Sequence, residues 1–184
     1  MAWGNVGVVT ISCTVAPAES RGKAARALYE AAVLHPKQFC DSATADRVHS
    51  AVGLIDGCFA VPWEACQHVF AALEVLILNG RWRVFTPTIL YNLFRGLHSL
   101  EDDPRCEACY KLCRTILVLA PLSEALLLLS QSYDMLRSFA QLRRHAGPLG
   151  THRERKLELV QLAIDCLKQN DAPASQELVR HLSQ

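Results

Sequence analysis

The chain has 184 residues, 51% of them hydrophobic and 20% charged, with 19 basic and 18 acidic side chains and a formal charge of +1. That length fits one domain with a substantial apolar core and leaves disorder only to the ends. Near-neutral charge excludes a protein that works mainly through a general basic field, as many nucleic-acid binders do.

No run reaches the roughly 18 to 20 uninterrupted apolar residues of a membrane span. The richest, Leu126 to Leu129 with its neighbours, is cut off by Gln131, Ser132 and Asp134. Residues 1–19 read as a leader: Val6, Val8, Val9, Ile11 and Val15 are β-branched, but Gly4, Gly7 and Pro17 interrupt them, leaving a flexible segment or a short edge strand. No Lys or Arg precedes this apolar stretch, as a secretory signal would require, so the expected location is cytoplasmic or nuclear.

From residue 20 to 184 the pattern predicts a single helical domain. Ser20 caps an Ala-rich helix reaching Leu34, and His35-Pro36 ends it because the residue before proline leaves the α region. A second helix is expected over Thr44–Ile55. Pro62 opens a third, in which Trp63, Cys66, Phe70, Leu73 and Ile77 recur at spacings of three and four, and Asn79-Gly80 closes it. Thr86-Pro87 opens a fourth, with Ile89, Leu90, Leu93, Phe94 and Leu97 as its buried face.

Asp103-Pro104 repeats this start signal. Cys106, Cys109, Cys113, Ile116 and Leu117 form the next stripe, ended by Pro121. Ser123 and Glu124 open what reads as the longest helix, continuous to His145 through Leu126, Leu129, Tyr133, Leu136 and Ala140. Gly147-Pro148-Leu149-Gly150 is the clearest linker. Thr151 and Glu154 then form a capping box before Leu157, Val160, Ile164 and Leu167. Asn170 and Asp171 stop that helix, and Pro173 opens a short last one with Leu178 and Leu182.

The fold class is therefore all-α. About eight helices joined by short turns predict an irregular antiparallel helical bundle or a short α-solenoid. The tetratricopeptide signature of Trp, Gly, Tyr and Ala positions is absent, so any helical repeat is degenerate.

Three constellations could carry function. The first is Cys106-x-x-Cys109-x-x-x-Cys113, part of a total of eight cysteines. Thiolates at such spacings can bind zinc, with His98 or His68 completing the set. On a helix, however, they share the face that Ile116 and Leu117 continue, and core cysteines are the better reading. A redox pair of the thioredoxin kind belongs to a βαβ context that is missing here. No metal or other cofactor is expected.

The second is positive charge around the linker: Arg143, Arg144 and His145 end one helix, and His152, Arg153, Arg155 and Lys156 begin the next. The helix dipole favours the first group but opposes the second, for which Glu154 and Glu158 offer local compensation. Arg143, Arg144, Arg153, Arg155 and Lys156 are thus the candidate contacts for a polyanion such as nucleic acid, against a solvated-surface reading. The third is Arg81, Trp82, Arg83 and Phe85, two aromatics and two arginines between helices. Trp and Arg are enriched at binding hot spots, although the two rings could equally plug the end of a bundle.

Enzyme signatures are missing: there is no glycine-rich phosphate loop, no G-x-S-x-G elbow and no H-E-x-x-H pair. The reading is a non-enzymatic helical interaction module, an adaptor, scaffold or complex subunit, with Leu122 to Leu129 and Ile77 to Leu78 apolar on more than one helix face. A homodimer or an obligate hetero-complex would cover such faces. The alternative is nucleic-acid or other polyanion binding through the Arg143–Lys156 region.

Overall fold

The computed structural model describes residues 63–79, 87–99, 103–120, 122–145 and 151–184, together with Lys23, Arg26, Glu30 and Leu34. Among the described residues the chain is all-α, with no strand. Seven α-helices are delimited: α1 Trp63–Leu78, α2 Pro87–Ser99, α3 Pro104–Leu119, α4 Leu122–Ser130, α5 Tyr133–Gln141, α6 Thr151–Lys168 and α7 Pro173–Leu182, with a 3₁₀ turn at Leu142–Arg144. No helix among the described residues is long and apolar enough to cross a membrane. The expected leader, the Thr44–Ile55 helix and the 147–150 linker lie outside the described residues.

The chain divides into two compact units, Met1–Phe85 and Thr86–Gln184. In the first, Lys23, Arg26, Glu30 and Leu34 are helical, as the Ala-rich pattern predicts, and Arg26 Nε meets Glu30 Oε1 at 2.9 Å one turn apart. Along α1 the spacing puts Phe70, Leu73 and Ile77 in the interior. Trp63 packs on Phe70 with ring centroids 5.8 Å apart. The helix ends at Asn79, whose amide and side-chain nitrogen both donate to Val75 O.

The second unit is organised around α6. Its buried residues, Lys156, Leu159, Val160, Ala163, Ile164, Cys166 and Leu167, cover more than one face. Of the expected stripe Val160, Ile164 and Leu167 are among them while Leu157 is only partly buried, and the buried surface is wider than that stripe because α6 touches α3, α4, α5 and α7. A helix apolar around most of its circumference has to be central. On the far side, α2 packs against α3, α4 and α5 through Leu90, Leu93, Phe94 and Leu97. The aromatic rings of Phe94 (α2) and Phe139 (α5) meet edge to face at 6.0 Å.

Two local signals act as expected. Asp103 caps α3, accepting from Arg105 N at 2.8 Å, with Pro104 at the first helical position. At the other end Ala120 turns extended before Pro121, its amide still reaching Ile116 O at 2.8 Å. The continuous helix expected from Ser123 to His145 is not formed. It is broken into α4 and α5 by a turn at Gln131–Ser132. Ser130 Oγ donates to Leu127 O at 2.7 Å, and Ser132 N bonds back only three residues, to Leu129 O. Serine hydroxyls that compete for backbone groups weaken a helix in this way, and the break lets the two shorter helices both lie against α2 and α6.

Candidate functional site

The polar contacts of the second unit concentrate where α3 meets α6. Cys106 Sγ lies 3.5 Å from His152 Nδ1. One turn on, Arg155 pairs with Glu107 at 2.5 Å and its guanidinium carbon sits 5.1 Å above the Tyr110 ring. Next, Tyr110 Oη donates to Glu158 Oε2 at 2.5 Å, and Arg114 Nε donates to Glu158 Oε1 at 3.0 Å. Residue numbers rise together along both helices, so α3 and α6 run parallel.

Charge is balanced within this strip. The Tyr110 hydrogen bond pulls the Glu158 carboxyl below its ordinary value against the opposing effect of burial, and Arg114 helps. Burial raises the Tyr110 phenol, with the Glu158 bond adding to it. At the head of α3, the Arg105 side chain holds Asp103 low, again against burial.

The basic residues of the linker region are largely spoken for within the chain. Arg143 Nη1 donates to Leu182 O at 2.6 Å and Arg144 Nη2 to Gln184 O at 3.2 Å, so both tie the 3₁₀ turn to the end of α7. Arg153 Nη2 donates to His145 O. Arg155 is engaged by Glu107 and Tyr110 as above. Lys156 is buried, with Nζ 5.6 Å from the centre of the Phe139 ring. Compensation for cations at the start of α6 thus comes from Glu107 on α3 as well as from Glu158 on α6 itself. Arg81, Trp82, Arg83 and Phe85 lie outside the described residues.

Cys106, Cys109 and Cys113 all face the interior, as the core reading expects, and Cys166 is buried as well. Burial pushes the Cys113 thiol well above its ordinary value, and the neighbouring Cys109 and Cys106 push it further. Among the described residues no three His, Cys, Asp or Glu side chains are grouped so as to hold a metal ion.

Sequence reasoning missed two features. The first is which apolar residues of α3 and α4 stay outside: Val118, Leu119 and Leu127 are 54%, 46% and 63% exposed while Leu117, Leu128 and Leu129 are buried. Runs of consecutive leucines signal apolarity on both faces but not which residue is left outside. The second is the Cys106–His152 contact, which joins residues 46 positions apart. Only the helix-start positions of the two residues were visible beforehand.

Compared with known protein families, curated proteins and solved structures, the chain matches none.

Proposed function

We propose that the chain is a non-enzymatic helical interaction module, an adaptor or subunit of a larger cytoplasmic or nuclear complex. We read its second unit as an irregular bundle in which α3 and the broken α4–α5 arm separate α2 from α6. The observation that carries the reading is the trio Val118, Leu119 and Leu127, large apolar side chains left exposed at the end of α3 and on α4 while their sequence neighbours fill the core. Single exposed leucines are ordinary, and it is three large apolar side chains left outside on the consecutive helices α3 and α4 that favour a partner which covers apolar surface. The expected partner is a protein that offers a complementary apolar surface, in a hetero-complex or a homodimer.

The test is recovery from cell extract of tagged chain and of its Leu119→Glu/Leu127→Glu variant, each with and without nuclease, alongside sedimentation of the purified chain. A stoichiometric protein or second copy that survives nuclease and is lost in the folded variant supports the reading. Equal recovery by both forms overturns it.

Polyanion binding through Arg143, Arg144, Arg153, Arg155 and Lys156 has less support, because each of these side chains has a neighbour within the chain. It predicts partners that vanish with nuclease and binding that weakens steeply with salt.

A further inference from the structure

The head of α3 brings together the parts that thiol chemistry requires. Cys106 is the third residue of the helix, and its amide reaches back to Asp103 O at 2.8 Å. The first-turn amides are already taken, Arg105 N by the Asp103 carboxylate and Cys106 N by Asp103 O, so taking up the thiol proton falls to a side chain. His152 Nδ1, 3.5 Å from the sulfur, is placed to take the thiol proton when its own proton sits on Nε2. Cys109 follows one turn later on the same buried face and supplies a second sulfur. Among the described residues Cys106, Cys109 and His152 are not grouped closely enough to hold a metal ion together.

We infer that Cys106, Cys109 and His152 form a peroxide-responsive thiol pair, a modification site independent of the adaptor reading. His152 accepts the Cys106 proton. The thiolate attacks one oxygen of hydrogen peroxide, forming an S–O bond as the O–O bond breaks, and the departing hydroxide recovers the proton from His152 as water. Cys106 is then a sulfenic acid. The Cys109 sulfur attacks Cys106, an S–S bond forms, the S–O bond breaks, and hydroxide leaves with the Cys109 proton as a second water. Two thiols and one peroxide give one disulfide and two waters.

The geometry limits the oxidant and the product. Cys106 is only 1% exposed, so an oxidant has to enter beside His152, which is half-buried, and a small peroxide meets less obstruction there than a bulky disulfide. Side chains three apart on a helix have Cβ atoms about 5–6 Å apart, whereas a disulfide needs about 3.5–4.5 Å. The first turn of α3 must therefore tighten, next to the end where a helix is least constrained.

The experiment is native exposure of the full chain to hydrogen peroxide, acid quenching, alkylation of remaining thiols and peptide mapping by mass spectrometry. The expected product is a Cys106–Cys109 disulfide formed ahead of any oxidation at Cys113 or Cys166. Cys109→Ser should stop at a sulfenic acid on Cys106, trapped by a sulfenic-acid-specific probe. His152→Gln should slow Cys106 oxidation by at least about tenfold. Cys106 that stays reduced in the wild-type chain, or oxidises no faster than Cys113, overturns the proposal. So does an unchanged rate in folded His152→Gln. Wild-type mapping decides the matter even if a variant fails to fold.

Discussion

Tyr110 and Glu158, 48 residues apart, share one hydrogen bond across the α3–α6 contact, and the same carboxylate receives Arg114. The bond sets a direction for acid sensitivity. Glu158 has a folded-state value below its ordinary 4.5. A depressed carboxylate contributes stability that is present above its unfolded value and is lost as pH falls through the folded one. Asp103, held low by Arg105, acts in the same direction. Urea midpoints measured downward from about pH 6 should therefore drop more steeply below about pH 4.5 in the wild-type chain than in Glu158→Gln. Parallel curves would remove Glu158 from the account. Tyr110→Phe should cost about 1 kcal/mol near neutral pH, since the pair is partly solvated, and it should cost less in a Glu158→Gln background.

A second prediction concerns the central helix. Leu159 and Ile164 are buried on α6, the element that touches α3, α4, α5 and α7. Truncation of either to alanine should cost about 2–5 kcal/mol, the removed methyl groups and the cavity left behind both contributing. Denaturant unfolding of each variant checks this. A loss below about 1 kcal/mol for both would mean that α6 is not the core of the unit.

Leu127 and Leu128 are adjacent in sequence and opposite in environment, 63% and 3% exposed. Leu128→Ala should cost about 2–5 kcal/mol. Leu127→Ala should stay within about 0.5 kcal/mol for the isolated chain. If Leu127→Ala proves as costly as Leu128→Ala, Leu127 is already covered within the chain and cannot anchor a partner.

How much of this was legible beforehand depends on the range of the interaction. Helix starts at Pro104 and Pro173, and the end before Pro121, follow from proline's fixed φ and missing amide hydrogen. The stripes on α1, α2 and α3 follow from spacings of three and four. The break at Gln131–Ser132 was not legible, since apolar periodicity runs on through it and two serines, Ser130 and Ser132, tip the balance only once α2 and α6 are present to receive both halves. Nor was the fate of Lys156. Its position beside Arg155 reads as surface charge, and burial over Phe139 depends on how α5 packs against α6. The Cys106–His152 contact failed for the same reason: nothing local announces that α3 and α6 run parallel.

Ser132 gives a prediction in which two effects compete and magnitude decides. It is the N-cap of α5, a position where Ser→Ala ordinarily costs about 0.5–2 kcal/mol because the hydroxyl bonds a first-turn amide. Here the cap bond is not made: the residue sits at φ −94° and ψ 1°, not in the extended conformation that aims an N-cap side chain at those amides. The hydroxyl is fully buried and has no hydrogen-bond partner. An unsatisfied buried hydroxyl carries a desolvation cost of about 1–3 kcal/mol with nothing to offset it. Ser132→Ala should then stabilise the chain, by about 0.5–1 kcal/mol after allowing for relaxation. Asp103→Ala, which removes a cap bond that is formed at 2.8 Å, should destabilise it by about 1 kcal/mol. Opposite signs for two N-cap substitutions, read from urea midpoints under one set of conditions, is the expected result. A loss in Ser132→Ala matching that in Asp103→Ala would show that the Ser132 hydroxyl caps α5 in solution after all.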